Sequence, residues 1–213
     1  MAEILLGVSG SIAAYKAADL CSRLVKAGHG VSVVMTAGAK ELVGPLTFAT
    51  LTARPVLSNM WDRDEWARVE HIDVTDRADL VVVAPATANL LGKAAHGIAD
   101  DMLTTVLLAA ASPILACPAM NPRMWANPLV RENVERLRAA GWHFLEPAEG
   151  TVACGHTGQG RMREPAEIAE HIESMLQPHA KGSPRVPIRR SSSSRPKGAK
   201  RSEGGLASRR RKQ

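Results

Sequence analysis

The sequence predicts an α/β protein whose parallel sheet is covered by helices on both faces. Its apolar runs have strand length and are nearly continuous: "ILLGV" (4–8), "VSVVM" (31–35), "LVVVA" (80–84) and "PILACPA" (113–119). A strand with one wet face alternates apolar and polar residues, whereas one buried on both faces does not, so these runs belong inside a sandwich of helices. The stretches between them carry helical spacing. Every unusual polar cluster also falls at the carboxyl end of a run, as "GSIA", "TAGA", "PATAN" and "AMN", where an open parallel sheet receives its ligand.

The first run leads into "AAYKAADLCSRLVKAGHG" (13–30), where Ala17, Leu20, Cys21, Leu24 and Val25 share a helical face and glycines close the segment. "VSVVM" follows and ends in Thr36. After "LVVVA", Pro85 shapes a loop that leads to "ADDMLTTVLLAAA" (99–111), a further helix. In "PAMNPRMW" (118–125), Pro118 and Pro122 restrict the backbone on both sides of Asn121. Asn before a proline at the first helical position is a helix start, so the plain reading of Asn121 is a cap. "NPLVRENVERLRAAG" (127–141) is a helix, "WHFLEP" (142–147) a short last strand, and "EPAEIAEHIESML" (164–176) the closing helix.

With 213 residues and 45% hydrophobic content the chain can bury one substantial core. Cys21, Cys117 and Cys154 have neither paired nor metal-ligand spacing, which suits a reducing compartment and no metal. The start, "MAEILLGVSG", resembles neither a signal peptide nor a membrane span, and the chain reads as cytoplasmic. The net charge of +6 is unevenly placed: residues 181–213 hold twelve Lys or Arg against one acidic residue, a local +11, which leaves the first 180 residues at −5. The expected division is a folded domain over 1–178 and a basic tail over 179–213. The tail has too little apolar surface to offset the entropy of ordering, so it reads as a disordered, solvated extension or as a weak phosphate-directed contact for nucleic acid.

In "GVSGSIAAYK", Gly7 and Gly10 permit close backbone approach, Ser11 can donate a hydroxyl, and the following helix offers N–H groups to an anion; an ordinary tight turn is the alternative. The stretch departs from both the P-loop and G-x-G-x-x-G. Thr36 stands where a dinucleotide site wants an acid for the ribose, which favours a mononucleotide phosphate over NAD. Thr87 and Asn89 can bond a polar heterocycle or a phosphate. Asp100 and Asp101 read equally well as helix caps, and His96 as structural or exposed.

"GSIAAYK", "HIDVT", "PATANLLGKAAHGIADD", "PAMNPRMW" and "ACGHTGQGRM", in that order over residues 3 to 175, resemble the flavin-containing cysteine decarboxylases, and among them those of coenzyme A biosynthesis. The resemblance implies a flavodoxin-like doubly wound parallel sheet in a three-layer α/β/α arrangement. It further implies FMN as cofactor and assembly as a homotrimer or, by joining four trimers, a homododecamer. Gly10, Ser11, Ile12, Thr36, Ala86, Thr87, Ala88 and Asn89 are then FMN contacts, His71 the active-site histidine, Asn121 the grip on the substrate carboxylate, and Cys154 the proton donor on a flap.

The implied reaction is a carboxy-lyase step from 4'-phosphopantothenoylcysteine to 4'-phosphopantetheine. Two-electron oxidation of the cysteine carbon and sulfur gives a thioaldehyde, loss of carbon dioxide leaves an enethiolate, and return of hydride and a proton completes the cycle with no outside oxidant. A leaving carboxylate is best held by a neutral donor such as Asn121, because a cation would stabilise the charge about to be lost. His71 can manage the thiol proton or orient the carboxylate; Cys154 lies in "EGTVACGHTGQGRM", whose four glycines allow a mobile flap. The sequence passes straight into the tail, so a separate phosphopantothenate–cysteine ligase is expected to supply the substrate. The rival readings are a peptidyl-cysteine decarboxylase and a non-catalytic FMN-binding regulatory protein.

Overall fold

Six strands form one parallel sheet in the order β3-β2-β1-β4-β5-β6. They are β1 (Glu3–Val8), β2 (Gly30–Met35), β3 (Val56–Leu57), β4 (Leu80–Ala86), β5 (Ile114–Pro118) and β6 (His143–Phe144). The structure is a computed structural model that describes residues 1–60, 74–151 and 155–177. With the two-residue edge strand β3 set aside, the order is that of a flavodoxin-type sheet. His71, Cys154 and the basic tail, all singled out in the sequence, lie outside the described residues.

The continuous apolar runs are explained by burial on both faces. Ile4, Leu6 and Val8 point to one side, with α1 (Ala14–Lys26), α3 (Pro45–Thr52) and α8 (Pro165–Leu176) supplying Leu20, Leu24, Phe48, Ile168 and Ile172. Leu5, Val81 and Val83 point to the other, where α4 (Ala88–Ala95), α5 (Met102–Ala109) and α7 (Pro128–Ala139) supply Leu90, Leu103, Val106, Val134 and Leu137. Burying each such side chain contributes about 1.5–3 kcal/mol, so both faces commit the sheet to this three-layer packing. The short helices α2 (Ala37–Lys40) and α6 (Pro122–Trp125) follow strand ends.

Gly7 makes a different close approach from the one expected. A Cβ there would lie 2.6 Å from Cδ1 of Leu103, so this glycine admits the core face of α5 onto β1 and does not face a ligand. Cys21 and Cys117 are buried thiols whose pKa values desolvation raises to about 11 and about 12, so they pack as small hydrophobes and stay protonated. The glycine-rich segment expected to be a flap is framed by an antiparallel hairpin of β7 (Ala148–Thr151) and β8 (Thr157–Arg161), with Thr151 opposite Thr157.

Candidate active site at the strand ends

The polar clusters that follow the strands are joined edge to edge by hydrogen bonds. Thr36 N–H donates to Val8 O at 3.1 Å, tying the end of β2 to the end of β1. Ser9 Oγ donates to Pro85 O at 2.7 Å and accepts from Thr87 N–H at 3.1 Å, tying β1 to the loop after β4. Ala119 N–H donates to Ala86 O at 3.1 Å, and Met120 N–H to Gly160 O at 3.0 Å. The four loops and the hairpin are thereby one continuous rim. Its centre lies at β1 and β4, where successive strands are added on opposite sides; that switch point is where open α/β sheets receive their ligands.

Ser9 is the residue that sequence reasoning passed over. It is 1% exposed and fastens two loops with one hydroxyl. The available signal was its position directly after a fully buried strand, where a polar side chain must find local partners.

Gly10 sits against α2: a Cβ would lie 3.0 Å from the carbonyl carbon of Gly38. The β1–α1 and β2–α2 turns therefore touch through backbone alone. Ser11 Oγ accepts from Ala13 N–H at 3.3 Å, and Ile12 next to it is 64% exposed, a large apolar side chain in the turn after β1. Thr36 caps α2 by accepting from Ala39 N–H, and Thr87 caps α4 by accepting from Leu90 N–H. A hydroxyl that accepts a backbone N–H still carries its own hydrogen to donate, so capping leaves both threonines able to bond an anion. Ala86 is a buried strand residue acting through its carbonyl, Ala88 begins α4, and Asn89 is exposed on its first turn. These eight residues lie at adjoining strand ends and helix starts.

Asn121 does cap α6: its Oδ1 accepts from Arg123 N–H at 2.8 Å. The carbonyl oxygen that would repel a carboxylate is thus used by the backbone. The cap and the expected grip are compatible, because they use opposite ends of one amide. Asn121 lies two residues beyond Ala119, which is bonded to Ala86, so it is held beside the "PATAN" loop.

The hairpin is pressed onto this corner. A Cβ on Gly160 would lie 2.4 Å from Met120 O, and one on Gly158 would lie 3.0 Å from Pro122 Cβ. Backbone cannot yield as a side-chain tip can, so Gly160→Ala must push β8 away from Met120 and Asn121. We expect a cost of about 2 kcal/mol and a fall in Tm of about 4–8 °C, with scanning calorimetry as the check; an unchanged Tm would show that the hairpin does not rest on the corner.

The acidic pair is resolved in favour of the structural reading. Asp101 caps α5, accepting from Thr104 N–H at 2.8 Å while Thr104 Oγ1 accepts from Asp101 N–H at 3.1 Å. Asp100 pairs with Lys93 at 2.8 Å, and that ammonium holds its carboxyl below the ordinary range. His96 is exposed and bonded to Gly92 O. Among the described residues no group of three His, Cys, Asp or Glu side chains is placed to hold a metal ion, and no helix is long and apolar enough to cross a membrane.

A doubly wound domain with its strand-end loops fastened together at the switch point belongs to a class of α/β domains that take small ligands at that position. The chain belongs to the Flavoprotein family, which residues 1–177 match. It is 49% identical over 171 residues to the coenzyme A biosynthesis bifunctional protein CoaBC of Bacillus subtilis, covering 80% of this chain and 42% of that one. It therefore spans about two fifths of that bifunctional relative. It is 43% identical to the probable phosphopantothenoylcysteine decarboxylase of Streptococcus mutans, covering 82% of this chain and 98% of that one. Among solved structures, a cysteine-to-serine variant of PPC decarboxylase complexed with pantothenoylaminoethenethiol superposes with a TM-score of 0.72 at 30% identity, covering 82% of this chain and 97% of that one. The FMN-dependent cysteine decarboxylase SpaF gives 0.68 at 34% identity, with coverages of 82% and 97%.

Proposed function

We propose that this chain is an FMN-dependent decarboxylase that converts 4'-phosphopantothenoylcysteine to 4'-phosphopantetheine. The observation that carries the reading is the placement of Asn121 on the rim, between the "PATAN" loop and the hairpin, in a chain that matches the Streptococcus mutans protein over nearly its whole length. The residues fit FMN. Thr36 and Thr87 are hydroxyls oriented by their caps, Gly10 brings two turns together without side chains, and no carboxylate of the described rim stands where a second ribose would require one. In this reading Gly10, Ser11 and Ile12 at the start of α1, Thr36, and residues 86–89 hold the cofactor.

Bound FMN supplies a reversible two-electron sink, which cysteine itself lacks. The chain's own residues position the substrate and manage protons. Asn121 donates an N–H to the carboxylate without adding charge that would retain it, His71 takes the thiol proton or orients the carboxylate, and Cys154 returns a proton to the enethiolate. An enethiol ligand in the cysteine-to-serine PPC decarboxylase variant is the species expected when that last step is blocked. The working unit is a trimer or a multiple of three in the cytoplasm, supplied with substrate by a phosphopantothenate–cysteine ligase.

The 34% identity to SpaF keeps a peptide-ending cysteine as the second substrate to be tried. The purified protein should be yellow, acid release should give FMN, and 4'-phosphopantothenoylcysteine should be turned over in preference to a peptide with a C-terminal cysteine. Release of FAD or NAD would overturn the cofactor assignment; preference for the peptide would overturn the substrate assignment.

A further inference from the structure

Lys16 lies on the first turn of α1, and its side chain is only 8% exposed. An ammonium in that position is costly unless paired, and an apolar residue would fill the same space without a desolvation penalty. Its two partners explain its presence. Nζ donates to Met162 O at 3.4 Å and to Glu164 Oε1 at 2.9 Å, and Glu164 also receives Arg161. Met162 follows directly on β8, the return strand of the hairpin, and Glu164 precedes α8. One buried cation on the helix that follows Gly10 and Ser11 therefore holds the exit of the strand whose other contact is the Met120–Asn121 corner.

We propose that Lys16 is a positioning residue for the proton-return half of the reaction, fixing β8 between helix α1 and the Asn121 corner so that the hairpin is held in register against that corner. This rests on the functional reading above, in which Cys154 between β7 and β8 donates the proton. The two anchors have distinct tasks. The Gly160–Met120 contact sets how close β8 comes to Asn121, while Lys16 sets where β8 leaves for α8. The hydrogen bond from Lys16 is the first cause that holds the Glu164 carboxyl below its ordinary range, consistent with the 2.9 Å contact between them. Only the lysine end of this pair is buried, the Glu164 side chain being 48% exposed, so the ammonium bears the desolvation cost and the pair contributes location more than stability.

The test is Lys16→Met in the FMN-loaded protein, read in two ways. Tryptic cleavage after Arg161 or Arg163 should become about tenfold faster, as expected when a charge-assisted hydrogen bond no longer holds a segment closed. With 4'-phosphopantothenoylcysteine in air-equilibrated buffer, where dissolved dioxygen reoxidises the flavin left reduced whenever the enethiol departs, carbon dioxide release should continue while the fraction of product leaving as the enethiol, two mass units below the aminothiol, rises about tenfold over wild type. Lys16→Arg, which keeps the cation and two donors, should restore both readouts. A purely structural lysine would lower Tm without altering the product ratio, so a wild-type ratio in a folded Lys16→Met protein overturns the proposal. If that variant does not fold, Glu164→Gln, which leaves the bond to Met162 O in place, should give smaller shifts in the same direction, and no shift in either readout refutes it. Absence of decarboxylation by the wild type overturns the functional reading and with it the proton-return role, whereas a wild-type cleavage rate in Lys16→Met overturns the anchoring alone.

Discussion

Asn121→Asp leaves the protein folded and FMN-loaded but lowers decarboxylation by at least about 10²-fold, the loss typical of removing one donor from a site of developing charge. The cap makes this a clean substitution. Asn and Asp serve equally well at a helix N-cap, and the Oδ1 that accepts from Arg123 N–H is present in both, so α6 and the adjoining bond from Met120 to Gly160 O should survive. What changes is the other end of the side chain. An N–H donor becomes a second carboxylate oxygen, which in the proposed binding mode would face the substrate carboxylate, and two like charges so placed oppose each other's ionisation.

The sign of a pH effect follows. Repulsion from the bound substrate raises the pKa of the introduced carboxyl, so its neutral form, which can donate an O–H, becomes more populated as pH falls. Activity of Asn121→Asp relative to wild type should therefore recover on moving from neutral to mildly acid pH, provided FMN remains bound. The measurement is carbon dioxide release against pH for the two proteins, with calorimetry to confirm equal folding. Near-normal turnover at neutral pH would remove the assigned carboxylate contact and leave Asn121 a cap alone.

How far the sequence reveals such a site depends on what each residue does locally. The sheet was legible because a strand covered on both faces leaves an uninterrupted apolar run: Ile4, Leu5 and Leu6 are each buried, on alternating sides. The two-residue β3 and the hairpin left no such trace, since "AEGT" and "TGQGR" are short, polar and glycine-rich, and their pairing is fixed by contact with Met120 and Pro122. Ser9 and Lys16 share the same obscurity. A serine after a strand and a lysine on a helix are ordinary until tertiary packing buries them against Pro85 and Glu164. Asn121 was legible as a cap because a proline follows it, whereas Thr36 and Thr87 showed only as strand-end polar groups, since a cap and a ligand contact call for the same small oxygen-bearing side chains and no proline marks the helix start after either threonine.

Cys154→Ser divides the reaction at its last step. In the proposed reaction, oxidation and carbon dioxide loss would require FMN, Asn121 and His71, and the enethiolate would then need an acid. A thiol with an unperturbed pKa near about 8.5 is mostly protonated at neutral pH yet gives up its proton readily, whereas a serine hydroxyl of similar size does not. Cys154→Ser is accordingly expected to decolorise the flavin and release carbon dioxide on anaerobic mixing, then to yield mainly the enethiol, with formation of the saturated aminothiol slowed by about 10²–10⁴-fold, the usual contribution of a positioned acid. His71→Asn should fail earlier, keeping flavin bound and its oxidised absorbance unchanged when substrate is added. The hairpin supplies the geometric reason for expecting the two halves to separate: Asn121 is fixed by its own cap and by the bond from Ala119 to Ala86, independently of whatever side chain stands between Thr151 and Thr157. The carboxylate can therefore be held and lost while the proton cannot be returned. Saturated product from Cys154→Ser at the wild-type rate would transfer the proton-donor role to another residue and reduce Cys154 to packing within its segment.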